Sequence, residues 1–61
     1  MPDMPLKVRF KHANGTYSAR VMADEVSQVI DYLKQWRSQG HTEFDIEDAN
    51  GNPVKEADLN A

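Results

Sequence analysis

The stretch that decides the fold is Leu6-Lys7-Val8-Arg9-Phe10-Lys11-His12, then Ala13-Asn14-Gly15-Thr16, then Tyr17-Ser18-Ala19-Arg20-Val21-Met22-Ala23. The first and last parts alternate apolar with basic or small polar residues at period two, the pattern of a half-buried strand. Asn-Gly between them is a strong hairpin signal, because a two-residue type I′ turn needs positive φ at both central positions. With Asn14-Gly15 as the loop, the numbers of facing residues sum to 29. His12 is then expected opposite Tyr17, Phe10 opposite Ala19, Val8 opposite Val21 and Leu6 opposite Ala23, all on one side of the ribbon. Lys11–Ser18, Arg9–Arg20 and Lys7–Met22 fall on the other.

Beyond the hairpin the period changes. Val26, Val29, Ile30 and Leu33 are spaced i, i+3, i+4, i+7, one stripe of a helix over about residues 24–39. Asp24 is the expected N-cap, and Gly40 the expected left-handed stop. Alternation returns in Thr42-Glu43-Phe44-Asp45-Ile46-Glu47, a third strand with Phe44 and Ile46 inward and its carboxylates outward. Asp48-Ala49-Asn50-Gly51-Asn52-Pro53 is a turn cluster, and Val54 is a candidate for a short fourth edge strand limited by Pro53.

The order strand, strand, helix, strand leaves two places for the third strand, and charge chooses between them. Beside the first strand, Glu43, Asp45 and Glu47 lie next to Lys7, Arg9 and Lys11 and relieve the Arg9–Arg20 repulsion; each such cross-strand pair contributes about 0.2–1 kcal/mol. The expected architecture is α+β, a two-layer β-β-α-β domain with a three-stranded, mainly antiparallel sheet in order 2-1-3. One helix covers Leu6, Val8, Phe10, Ala19, Val21, Phe44 and Ile46. At 61 residues, about 60% of the unfolded surface can be buried, enough for one core. The expected domain is therefore 1–61, with 1–4 and 56–61 as loose ends.

Composition narrows the function. The chain has no cysteine, which removes disulfides and thiol chemistry. It has neither a long apolar run nor a basic, hydrophobic start, so no membrane contact and a cytoplasmic location are expected. Seven Lys+Arg against ten Asp+Glu give a net charge of −3, which argues against nucleic acid as a partner. No nucleophile elbow or glycine-rich phosphate loop is present, and one helix on three strands is expected to offer little concavity. The expectation is a non-enzyme without cofactor or catalytic residues.

Four groups deserve weighing as sites. Lys7, Arg9, Lys11 and Arg20 form a cationic strand face that could hold a polyanion, but the expected register puts no stacking aromatic beside them. Tyr32 and Trp36, at i and i+4, make an aromatic flank of the kind enriched in protein interfaces, or else complete the core. His12 and His41 lack a further ligand at metal-binding spacing, so no metal is expected. Asp48-Ala49-Asn50-Gly51-Asn52 fails as a calcium loop, because Pro53 and Leu59 stand where glycine and glutamate are required. The leading expectation is a module that binds a protein partner or a second copy of itself, through an edge strand or the Tyr32/Trp36 flank; the alternative is the polyanion binder.

Overall fold

The computed structural model describes residues 3–59. Its elements are β1 (Leu6–Phe10), β2 (Val21–Ala23), α1 (Val26–Ser38), β3 (Phe44–Glu47) and a single helical turn, α2 (Glu56–Leu59). The strands form an antiparallel sheet in order β2-β1-β3. Lys7 pairs with Glu47, Arg9 with Asp45 and Phe10 with Phe44, so the acidic strand lies beside the basic one as the charge argument requires. Val54 N–H donates to Ile46 O and Pro53 bridges Glu47, so the fourth strand amounts to a single bridge on the outer edge of β3.

The hairpin departs from the expected turn. Leu6↔Ala23, Lys7↔Met22 and Val8↔Val21 keep the sum of 29. Nearer the tip, Lys11 bridges Tyr17 and Ser18 N–H donates to Phe10 O, so facing numbers sum to 28. The loop is Ala13-Asn14-Gly15: Gly15 N–H donates to His12 O, His12 N–H donates to Thr16 O, and only Gly15 of the loop has positive φ, +92°. A type I turn closed by one left-handed glycine avoids placing Asn14 at positive φ. Its Oδ1 instead accepts from Thr16 N–H and Thr16 Oγ1–H, at 3.1 and 2.7 Å.

The change of register is absorbed by a β-bulge that sets Ala19 and Arg20 against Arg9. Ser18 fills the disrupted ladder, its Oγ accepting from Phe10 N–H at 3.0 Å. Ala19 consequently lies exposed rather than under the helix, and His12 no longer faces Tyr17.

Helix α1 starts two residues later than expected. Glu25, not Asp24, occupies the N-cap, with no side-chain cap bond. Gln28 reaches back past the N-cap instead, its Oε1 accepting from the N–H of Asp24, the residue before it, at 2.7 Å. The C-terminus is a Schellman motif: Gly40 at φ +97° donates to Arg37 O, and His41 N–H donates to Trp36 O.

The buried core is Leu6, Val8, Ala23, Val29, Leu33, Trp36, Ile46 and Leu59, with Met4, Phe10, Val21, Val26, Tyr32, Phe44 and Val54 packed around it. Ile30, expected in the stripe, is only half-buried. The helix is rolled so that Trp36 points at the sheet, because the indole covers far more apolar surface there than an isoleucine could.

The ends are engaged as far as they are described. Asp3 O accepts from Ala49 N–H, and Asp3 Oδ2 accepts from Asn50 Nδ2–H at 2.7 Å. At the other end α2 carries Leu59 into the core, where loose chain was expected over 56–59. The remaining terminal positions, 1–2 and 60–61, lie outside the described residues.

Candidate functional site

The open face of the sheet carries the basic residues, and neighbouring carboxylates hold most of them. Arg9 Nε–H donates to Asp45 Oδ2 at 2.9 Å and its Nη2 lies 2.9 Å from the same oxygen. Lys11 Nζ is 3.5 Å from Glu43, and Arg20 reaches over β1 to Glu47 at 3.7 Å. Lys7 faces Glu47 across the ladder. Geometry this open is worth little per pair, but it consumes the positive potential a polyanion would need.

The register change adds a residue that the sequence reading placed elsewhere. Tyr17 bridges Lys11, which turns its ring onto the basic face, and the Arg9 guanidinium lies 4.0 Å from the ring centroid. Tyr17 is 46% exposed and Met22 is 53% exposed, the large apolar side chains most open to solvent among the described residues. The signal that could have found Tyr17 is Ser18, a short hydroxyl able to replace a ladder carbonyl at a bulge.

The Tyr32/Trp36 flank divides. Trp36 is 8% exposed, 4.9 Å from Phe10 and 6.1 Å from Phe44 between centroids, so its ring belongs to the core. Tyr32 stacks on it at 5.7 Å and stays half-buried, leaving one aromatic edge at that margin. Arg37 caps Phe44 with its guanidinium carbon 5.1 Å from the ring centroid and donates to Glu56 Oε2 at 2.6 Å. The hydrogen bond to Glu56 raises the Arg37 pKa, and the same bond lowers that of Glu56.

The histidines meet around Phe10. His41 stacks on it at 3.9 Å, His12 meets it edge-on at 5.1 Å, and the two imidazoles are 6.1 Å apart between centroids. They border a surface cleft of about 650 Å³ between the hairpin tip and residues 39–43; a second, of about 570 Å³, follows the β3 edge. Such concavity was not expected of this architecture; the first cleft is open to solvent, with residues 11–15 of the hairpin on one side and residues 39–43 on the other. No group of three or more His, Asp or Glu suited to a metal occurs among the described residues. Asp48 is buried, its Oδ1 accepting from Asn50 and Asn52 N–H at 2.8 and 2.9 Å, which makes it the pivot of a turn. No described helix is long and apolar enough to cross a membrane.

The two edges of the sheet differ most. β3 is partly covered by Pro53 and Val54, whereas no described strand lies outside β2. Lys11 N–H points toward β3 and Phe10 O toward the returning chain. Alternation along β1 therefore turns Leu6 and Val8 toward β2, and leaves the Met22 N–H and C=O facing outward. No protein-family model, curated protein or solved structure matches the chain.

Proposed function

We propose that the protein is a non-catalytic protein-interaction module that docks through the outer edge of β2. The observation carrying this reading is the outward-facing backbone of Met22, with no described strand beside it and with exposed apolar side chains at Met22 and Tyr17 on the open face. An added strand takes its affinity from main-chain hydrogen bonds and its selectivity from alternate side chains, so a short ladder edge with one apolar face suffices. Tyr32, half-buried on the flank of α1, is a secondary contact. Met22→Pro removes the outward donor while leaving the β1 pairing intact, since proline is tolerated on an edge strand whose N–H faces solvent. As baits in native-host lysate, the wild type is expected to retain a protein that Met22→Pro loses; identical capture profiles would overturn the reading.

The polyanion reading gains Tyr17 as a stacking surface and loses cations to Asp45, Glu43 and Glu47. It requires oligonucleotide binding whose affinity falls with salt and with Arg9→Ala. Flat titrations at low salt would end it.

A further inference from the structure

We infer that the occupant of the β2 edge is a second copy of this chain, paired antiparallel about a two-fold axis centred on Met22. This rests on the reading of β2 as the docking edge and names its partner.

The segment Arg20-Val21-Met22-Ala23-Asp24 is cationic at one end, apolar in the middle and anionic at the other. Antiparallel pairing with itself brings Arg20 opposite Asp24 of the second copy, and the reverse, so both ends attract. Natural edge strands are usually guarded by charges that repel an incoming strand; here the two signs are arranged so that self-pairing joins them. The Asp24 carboxylate has no ion-pair partner among the described residues, and the Arg20 pair with Glu47 is long at 3.7 Å, with 48% of the Arg20 side chain exposed. Both charges are thus available to a second chain.

The backbone agrees. Outward Met22 N–H and C=O groups at the two-fold make a pair that exchanges both hydrogen bonds. The axis stands perpendicular to the sheet, so the open faces become continuous and the two Met22 side chains meet there. On the other face the helices lie side by side. Self-pairing covers Met22, which is 53% exposed on the open face of this edge.

Charge reversal tests the pairing. Analytical ultracentrifugation of the full chain from micromolar to millimolar concentration is expected to show a monomer–dimer equilibrium at low salt. Arg20→Asp and Asp24→Arg, each alone, set like charges opposite one another at both ends and weaken the dimer by about tenfold or more. Mixed together, the two variants form a heterodimer with wild-type or better affinity, since one chain is then wholly anionic at the edge and the other wholly cationic. Circular dichroism of each variant checks that the monomer is folded, and the mixture needs no comparison with a variant that might not be. A wild type that stays monomeric throughout, or a mixture no heavier than its components, overturns the self-pairing. If the bait experiment with Met22→Pro still loses a captured protein in that event, the docking role of β2 stands with a different partner; if it loses nothing, both readings fall.

Discussion

One face of the sheet is closed by Val29, Leu33 and Trp36 of α1 together with Leu59, and the other by Arg9, Lys11 and Arg20 with the carboxylates Asp45, Glu43 and Glu47. Both faces are satisfied, but by interactions of different worth. On the helix side, burial removes apolar area from water at roughly 25 cal/mol per Å². On the open side, ion pairs form among groups that water still reaches, and each contributes at most about 1 kcal/mol. A chain this small holds its shape with the first face and leaves the second adjustable. The sides of a hairpin can therefore do separate jobs, one fixing the backbone and one presenting charge and two exposed apolar residues, Tyr17 near the tip and Met22 on β2.

Trp36→Ala strikes that contrast hardest. It removes the ring between Phe10 and Phe44, and large-to-small changes of this type cost about 3–5 kcal/mol. Since a core of this size is expected to supply only a few kcal/mol, the variant should be unfolded or nearly so at 25 °C by circular dichroism; a native-like urea midpoint would show that the helix face is not what holds the fold. Leu59→Ala should cost about 2 kcal/mol, the low end of the core range, because a cavity at the end of the chain can collapse. An unchanged urea midpoint would mean that α2 contributes nothing to the core.

On the open face the expected effects shrink. Removing Arg9 should cost about 0.5–1 kcal/mol, shared between the Asp45 pair and the contact with Tyr17. A double-mutant cycle of Arg9→Ala and Tyr17→Ala separates the two, and a coupling above about 2 kcal/mol would make this face as structural as the other. The smallest effect is expected of the Arg37–Glu56 clasp between α1 and α2. Its bond lowers the Glu56 pKa, so its contribution is fully present above the ordinary carboxylate range and disappears as pH falls through the lowered value. Thermal melts of wild type and Glu56→Gln should differ slightly at neutral pH and converge in acid; divergence in acid would contradict the sign.

Much of this was legible in the residues. Alternation in 6–12 and 42–47 with the opposed charges of Arg9 and Asp45 leads to the 2-1-3 order, because strand period and charge sign are local properties. The hairpin tip was not legible in the same way. Asn14-Gly15 is compatible with two loops, and the choice between them turned on whether Ser18 could repair a bulge, which depends on the position of Phe10 N–H. That single offset moved Tyr17 to the basic face and Ala19 into solvent, because side chains alternate faces and a one-residue shift reverses them.

The same division holds for the helix and the edges. Sequence by itself determined that a helix spans the region, since Val26, Val29 and Leu33 recur at its period and Gly40 ends it. It could not determine the roll, because Ile30 and Trp36 compete for the sheet and only the space above Phe10 and Phe44 selects the larger ring. Nor could it show which edge stays bare. Pro53 and Val54 reach β3 only after the Asp48 turn folds the chain back, and β2 is left open because none of the described residues after it returns to its outer edge. Local chemistry set the elements; the packing of large rings and the path of the chain decided which surfaces they leave exposed.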